Sequence, residues 1–134
     1  MIAVFTNGCF DIIHYGHIRL LEWARAQGDY LIIGLNSDAS VRRLKGPNRP
    51  IIAEAERKET LLALRCVDRV VIFEEDTPVE LLHLIRPQIL VKGPQDFGRI
   101  IPGQEFVESL GGRVMIPDWP IMISTSDIIN KIKL

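Results

Sequence analysis

Cysteine is scarce in this chain, and charge of one sign does not dominate it. Cys9 and Cys66 are the only cysteines among 134 residues, and neither belongs to a Cys-x-x-Cys pair. This argues against a disulfide framework, so we expect a reducing, cytoplasmic setting. The formal net charge of −1 provides no general basic field for nucleic acid. We therefore expect small-molecule partners, and an anionic ligand would need a local cluster of donors.

Long apolar runs are also missing. No stretch approaches the roughly 18 apolar residues of a membrane span, and the N-terminus has no basic segment followed by a cleavage site. We expect a soluble, unprocessed protein that does not associate with membranes. With 47% hydrophobic and 25% charged residues, the chain has the balance of a domain with a real core. We predict one domain over residues 1–134.

Short apolar segments predict the strands. They are near-continuous rather than alternating, which is typical of strands covered on both faces of a parallel sheet. The predicted strands are residues 2–5, 30–35, 69–73, 88–91 and 113–116. Helical periodicity predicts helices at about 15–27, 38–45, 54–64, 78–85, 103–110 and 126–132. This alternation predicts an α/β fold, a Rossmann-like open parallel five-stranded sheet with helices on both faces.

Residues that commonly start and end helices agree with these ranges. Ser37 and Ser124 are candidate N-caps, and Thr77-Pro78 has the order of an N-cap followed by the first helical residue. Glycines that would supply a left-handed residue follow three of the helices, at Gly28, Gly46 and Gly111-Gly112. Ligands of such sheets bind beyond the carboxyl ends of the strands, so the segments after the strands are expected to form one site.

The most informative segment leads from the first predicted strand into the first predicted helix. It contains the motif His14-x-Gly16-His17. The first N–H groups of a helix have no intrahelical partners and the helix dipole is positive there, so an anion is favoured. His14 and His17 share one face of the first turn, and Gly16 lets a phosphate approach the backbone. We predict a phosphate site in which both imidazoles donate hydrogen bonds.

A zinc site is an alternative for the same loop. Cys9, Asp11, His14 and His17 are all potential ligands. A loop that ends a strand does not easily wrap four such side chains around one tetrahedral centre. Phosphate is therefore the preferred ligand, and we predict no metal site built from protein side chains alone.

Residues 7–17, NGCFDIIHYGH, resemble the signature of the nucleotidyltransferase superfamily. This superfamily includes cytidylyltransferases, pantetheine-phosphate adenylyltransferases and class I aminoacyl-tRNA synthetases. Residues 123–128 resemble its second signature. Further segments are similar to the bacterial D-glycero-β-D-manno-heptose 1-phosphate adenylyltransferases, the adenylyltransferase domain of ADP-heptose synthase: residues 36–50, 64–68, 75–78 and 90–93. The likeness spans nearly the whole chain.

The resemblance implies a reaction. AMP would pass from ATP to heptose 1-phosphate, giving ADP-heptose for lipopolysaccharide or another heptose-containing glycan, with pyrophosphate as the second product. Mg²⁺ would accompany ATP as cofactor. Members of the family are commonly dimers or larger, so a homo-oligomer is expected.

The resemblance also implies roles for individual residues. His14, His17 and Lys45 would stabilise charge on the phosphates, with Lys45 and Arg49 flanking the loop Gly46-Pro47. The residues expected to bind the nucleotide are Thr6, Asn7, Gly8, Phe10, Gly16, Lys92, Gly93, Ser124, Thr125 and Ser126. Those expected to bind the sugar phosphate are Asp11, Asn36, Asp38 and Arg49.

Two segments depart from the family pattern. Heptose enzymes usually continue with Gly-Asp-Tyr where this chain has Pro94-Gln95-Asp96-Phe97, a gain of one residue before Asp96. Pro120-Ile121-Met122 lacks the Gly and Arg often found before the second signature. Two alternatives therefore stay open: an enzyme that uses CTP with glycerol 3-phosphate or ATP with FMN, and a nucleotide-binding module without turnover.

Overall fold

Five parallel strands form one sheet in the computed structural model, which describes residues 1–120 and 123–133. The strands are β1 Ala3–Gly8, β2 Tyr30–Asn36, β3 Arg69–Phe73, β4 Ile89–Val91 and β5 Arg113–Met115. Their order across the sheet is β3-β2-β1-β4-β5. The chain therefore builds outward from β1 on one side and then returns to build the other side. The switch point between β1 and β4 is where such sheets bind ligands.

The described residues contain six α-helices. They are α1 Tyr15–Ala26, α2 Asp38–Lys45, α3 Glu54–Leu62, α4 Val79–Ile85, α5 Gln104–Ser109 and α6 Thr125–Ile132, with a short 3₁₀ turn at Pro94–Asp96. The predicted Rossmann-like α/β fold is confirmed. No described helix is both long and apolar enough to cross a membrane.

Alternate side chains of the strands pack into two apolar clusters, as expected for a sheet covered on both faces. The first cluster includes Val4 and Ile33 with Leu21 of α1 and Leu61 of α3. The second includes Phe5 and Ile32 with Leu82 of α4 and Val107 of α5. Each strand is thus held from both sides, and this fixes where its carboxyl end lies.

The largest difference from the predicted strands is at β1. We predicted its end at Phe5, but the strand continues through Thr6 and Asn7 to Gly8. The apolar pattern stops at Phe5, whereas the ladder to β2 continues to the pair Gly8 and Leu35. Backbone hydrogen bonding therefore brings polar side chains into the end of a central strand.

Helix boundaries confirm some of the predicted caps and correct others. Ser37 Oγ accepts the Ser40 N–H at 3.1 Å as the cap of α2. The prediction that Thr77 caps α4 was wrong, because the carbonyl of Pro78 accepts the first helical bond and Pro78 takes that position.

The glycines after helices also divide into two kinds. Gly46 and Gly111 have φ of 108° and 87°, in the left-handed region as predicted. Gly28 does not, so its predicted role was wrong. A Cβ on Gly28 would lie 2.7 Å from a methyl of Val4, and close approach to β1 is what glycine permits there.

Two leucines of α4 test the burial of this helix. Leu82 is fully buried, whereas Leu84 is 81% exposed. Leu82→Ala should lower the free energy of unfolding by about 2–5 kcal/mol, because it leaves a cavity in the core. Leu84→Ala should change it by less than about 0.5 kcal/mol. Urea denaturation followed by circular dichroism measures both, and equal losses would contradict this packing.

Candidate active site

A cavity of about 640 Å³ opens at the carboxyl ends of β1 and β4. Every residue predicted for the site lines it, apart from Asp38. The predicted residues gathered here are Thr6, Asn7, Gly8, Phe10, Asp11, His14, Gly16, His17, Asn36, Lys45, Arg49, Lys92, Gly93, Ser124, Thr125 and Ser126. Their positions follow from the parallel sheet, since the segments after the strands meet at one edge. Their individual roles stay predictions.

The two histidines cap the helix that carries them. His14 is the N-cap of α1, and its Nδ1 accepts the N–H of Gly16 at 3.1 Å. Nδ1 of His17 accepts the N–H of His14 at 3.3 Å. A neutral imidazole carries its proton on the nitrogen that is not accepting. In both rings this nitrogen is therefore Nε2, which is left to donate to a ligand.

The environment of the rings favours their neutral forms. Burial, followed by the neighbouring His14, lowers the pKa of His17 to about 4. Burial also lowers the pKa of His14. The rings stack with centroids 3.8 Å apart, and the Phe10 ring lies 5.2 Å from that of His17. Crowding of this kind disfavours two positive charges.

His14 Nε2 has a further distinction. Among residues 1–120 and 123–133, it is the one buried side-chain nitrogen or oxygen without a hydrogen-bond partner. A buried donor without a partner costs free energy that an acceptor would recover. His14 lines the cavity, so a phosphate oxygen that reaches Nε2 would satisfy it.

Lys92 brings a cation to the switch point. Its Nζ lies 3.3 Å from Oδ1 of Asn7 and 3.9 Å from Oδ2 of Asp96. Burial lowers the pKa of Lys92, and the Asp96 carboxylate opposes that shift. The loop after β4 is one residue longer than in the heptose enzymes, but its 3₁₀ turn still places Asp96 beside Lys92. Phe97 is 81% exposed and does not line the cavity.

Asp11 is committed to protein partners. Its side chain is fully buried, and it accepts the N–H groups of Ile51 and Ile52 as well as Nε of Arg49 at 2.7 Å. Burial alone would raise the pKa of Asp11, but these donors hold it below its ordinary value. The predicted contact of Asp11 with substrate hydroxyls has no free oxygen to support it in this arrangement.

Asp38 is the predicted site residue that the structure does not bring to the cavity. Its Oδ1 accepts the N–H of Glu54 at 2.9 Å and Nη2 of Arg57 at 2.9 Å. The carboxylate therefore faces the start of α3 rather than the ligand edge. We leave Asp38 out of the proposed site for this reason.

The start of α6 closes another side of the cavity. Ser124 and Asp127 cap each other, since Ser124 Oγ accepts the Asp127 N–H at 3.1 Å and Asp127 Oδ2 accepts the Ser124 N–H at 2.9 Å. Thr125 Oγ1 donates to the carbonyl of Ile12 at 3.4 Å, which ties α6 to the loop after β1. Ile121 and Met122, which depart from the family pattern, lie outside the described residues.

The alternative zinc site gains no support from the geometry. Within the described parts of the chain, no three His, Cys, Asp or Glu side chains are placed to hold a metal ion. Burial raises the pKa of the Cys9 thiol despite the nearby Lys45 and Arg57. A protonated thiol is a poor ligand for zinc.

Comparison with known proteins identifies the family. Residues 5–131 match the cytidylyltransferase-like family. The chain belongs to this family. It is 55% identical over 97% of its length to the bifunctional protein HldE of Syntrophotalea carbinolica and 56% identical over 97% to that of Geotalea uraniireducens. The chain spans 26% of the length of each of these relatives.

Two solved structures are similar to this chain. The lipopolysaccharide core biosynthesis protein from Thermoplasma volcanium is similar with a TM-score of 0.70 and 28% identity, over 87% of this chain and 93% of that one. The pantoate-beta-alanine ligase from Francisella tularensis has a TM-score of 0.62 at 14% identity, over 98% of this chain and 69% of that one. The second likeness concerns the fold alone.

Two residues of this cytidylyltransferase-like site were missed from the sequence. Arg57 is fully buried and donates to the carbonyls of Cys9, Asn36 and Ile52. It lies in a helix rich in charged residues, which predicts exposure. Trp119 lines the cavity, with the Arg19 guanidinium 4.2 Å from its ring centre. Its place in an irregular segment gave no sequence signal.

The neutral state of the histidines is measurable. We expect the NMR signals of His17 to titrate near pH 4, because its pKa is lowered to about 4. Between this value and the ordinary 6.5, the unfolded chain binds more protons than the folded chain. Stability from the neutral ring is therefore present above pH 6.5 and is lost as the pH falls toward 4.

Long-range ¹H–¹⁵N spectra should show a proton on Nε2 and none on Nδ1. A titration midpoint of His17 near pH 6.5 would contradict the effect of burial.

Proposed function

We propose that this chain transfers AMP from ATP to D-glycero-β-D-manno-heptose 1-phosphate, giving ADP-heptose and pyrophosphate. The observation that carries the proposal is the pair of neutral histidines whose Nε2 atoms are left to donate at the start of α1. About 55% identity to proteins named bifunctional protein HldE supports the choice of acceptor. So does the resemblance of residues 36–50 to heptose 1-phosphate adenylyltransferases.

The proposed step is a direct in-line displacement. A phosphate oxygen of the sugar phosphate forms a bond to the α-phosphorus of ATP, and the bond to the oxygen that bridges to the β-phosphorus breaks. The attacking oxygen is already ionised near neutral pH, so it needs no general base. Catalysis then consists of positioning and of stabilising charge on the phosphate oxygens. These are the tasks that the site residues suit.

The histidines would act on the oxygens where charge grows. Donors fixed in advance need no reorganisation during the reaction, which makes them effective in a site of low dielectric constant. Both rings are fixed by their Nδ1 contacts to the backbone. We propose that Nε2 of His14 and of His17 donates to the α- and β-phosphates.

Cations around the cavity would hold the leaving pyrophosphate and the acceptor phosphate. Lys45 and Arg49 line one side and Lys92 lines the base near β4. The start of α6 supplies further N–H groups and the hydroxyls of residues 124–126. Asp127 at this helix start is exposed and opposes an anion, so we assign α6 a smaller share of the stabilisation than Lys45.

Mg²⁺ is the cofactor that we propose with ATP. The carboxylates that line the cavity already have partners: Asp11 accepts from Arg49 and backbone N–H groups, Asp76 pairs with Arg43, and Asp96 faces Lys92. Triphosphate oxygens and water would therefore hold most of the ion, which is common for Mg²⁺. The ion would neutralise charge on the triphosphate.

The remaining predictions concern the larger assembly. We propose that residues 1–134 form one nucleotidyltransferase domain that works in the cytoplasm as a homo-oligomer on small-molecule substrates. The relatives are about four times as long as this chain.

A substrate panel tests the proposed function. Purified protein with Mg²⁺ should release pyrophosphate with ATP and heptose 1-phosphate, and far less with CTP and glycerol 3-phosphate or with ATP and FMN. An enzyme-coupled pyrophosphate assay measures all three pairs. If only one of the other pairs released pyrophosphate, the substrates would be assigned to that pair instead. Nucleotide binding without release from any pair would contradict the enzyme and favour the binding module.

Removal of one histidine tests the mechanism. His17→Ala should lower kcat by about 10²–10³-fold or more, the usual effect of losing one fixed donor to developing charge. His83→Ala is the matched control, because His83 stacks on Phe106 of α5 away from the cavity. Circular dichroism checks that both variants fold. Near-normal pyrophosphate release by folded His17→Ala would overturn the role given to the motif.

A further inference from the structure

Lys45 is the last residue of α2, and the segment that follows carries Arg49. The two ends of this segment are held unequally by the rest of the protein. Gly46, at the end of α2, has φ of 108° and no atom within 4 Å of where a side chain would begin. At the other end, the N–H groups of Ile51 and Ile52 both donate to Asp11. The position of this segment against the cavity therefore depends on the buried Asp11 carboxylate, together with Arg57, whose Nε donates to the carbonyl of Ile52.

Asp11 also holds the guanidinium of Arg49. Nε of Arg49 donates to Oδ2 of Asp11 at 2.7 Å, and the Arg49 side chain is only 14% exposed. A guanidinium has five N–H donors in a rigid plane, and this contact uses one of them. The structure records no other hydrogen bond from the Arg49 side chain to residues 1–120 or 123–133. Since Arg49 lines the cavity, Nη1 and Nη2 are left for a ligand.

We propose that Asp11 is a positioning residue that fixes Arg49 through Nε, so that the two terminal nitrogens of Arg49 bind a phosphate or pyrophosphate group in the cavity. This inference rests on the proposed function for the identity of that group. It replaces a contact between Asp11 and sugar hydroxyls. It also explains why a carboxylate can lie in the wall of a site that binds anions. The negative charge of Asp11 is offset by Arg49 and by backbone N–H groups.

Arginine is required by this geometry, and lysine does not replace it. A lysine at position 49 has one ammonium group, which the Asp11 carboxylate would attract. Arg49→Lys should therefore bind anions about as weakly as Arg49→Gln does. A role for Arg49 as a simple point charge predicts instead that the lysine variant binds like the wild type.

The test is a double-mutant cycle on binding of inorganic pyrophosphate, measured by isothermal titration calorimetry. Asp11→Asn and Arg49→Gln should each weaken binding by about tenfold or more, the scale of a lost hydrogen bond to a charged group. The double variant should bind no more weakly than Arg49→Gln alone, because Asp11 acts through Arg49. Losses that multiply would overturn the inference, since they mean that Asp11 acts independently of Arg49.

Asp68 is the matched control. Its carboxylate accepts the N–H of Leu31 and forms an ion pair with Arg25, so it has a backbone and an arginine partner as Asp11 does, but it lies outside the cavity. Asp68→Asn should leave pyrophosphate affinity unchanged. An equal loss of affinity in Asp68→Asn would count against a specific role for Asp11.

The remaining outcomes are also informative. If Asp11→Asn does not fold, the pyrophosphate affinities of Arg49→Lys and Arg49→Gln still test the inference. A wild-type affinity in Arg49→Lys would overturn it. Absence of pyrophosphate binding by the wild type overturns it as well. The cycle does not depend on turnover, so coupling between Asp11 and Arg49 without AMP transfer would contradict the proposed function alone. AMP transfer without coupling would contradict this inference alone.

Discussion

The wall of the cavity depends on one buried guanidinium. Arg57 donates to the carbonyls that end two neighbouring strands or follow them, at Cys9 and Asn36, and to the carbonyl of Ile52 in the basic segment. Its fourth partner is the Asp38 carboxylate. Burial of a charge is tolerated only when its donors are nearly all satisfied. Arg57 meets this condition by joining the loop after β1, the end of β2 and the segment before α3.

This arrangement explains why the carboxylates of Asp11 and Asp38 do not face the ligand. With Arg57 fixed, the Asp38 carboxylate is needed beside it. The Ile52 carbonyl is held by Arg57, which presents the N–H groups of Ile51 and Ile52 to Asp11 from the other side. Asp11 and Asp38 therefore hold the wall of the cavity in place through their protein partners and do not offer a carboxylate to the ligand. Lys45, Arg49, Lys92 and the two neutral histidines line the cavity, and the two further carboxylates there, Asp76 and Asp96, are paired with Arg43 and Lys92. This local set of donors suits an anionic ligand in a chain of net charge −1.

The fold was largely predictable because its strands are buried on both faces. Continuous apolar segments such as 30–35 correspond closely to β2 at Tyr30–Asn36. Hydrophobic pattern could not reveal that β1 extends to Gly8, because the pairing with β2 that extends it leaves no mark on side-chain polarity. The cap of α4 was misplaced by one residue for a related reason. Which carbonyl accepts the first helical bond is a matter of backbone geometry.

The site was predictable at the level of which segments meet, and less so at the level of partners. Topology alone brings the residues after β1, β2 and β4 to one edge. The choice between a ligand and a protein partner for Asp11 depends on a segment 40 residues further along the chain. Arg57 was missed because charge in a short polar helix normally indicates exposure. Its burial becomes visible only when the carbonyls that require it are in place.

The two histidines link the candidate site to the formation of α1, because they also cap the start of this helix. As the N-cap and third residue of α1, they satisfy backbone N–H groups that a helix start leaves without partners. The same contacts occupy Nδ1 in each ring and so decide which nitrogen carries the proton. A side chain that capped the helix equally well, such as serine, would keep the helix start but would remove the imidazole Nε2–H, which extends beyond the reach of a hydroxyl. The motif therefore joins helix capping and anion binding in the same atoms, and a substitution there separates loss of the helix start from loss of the donor.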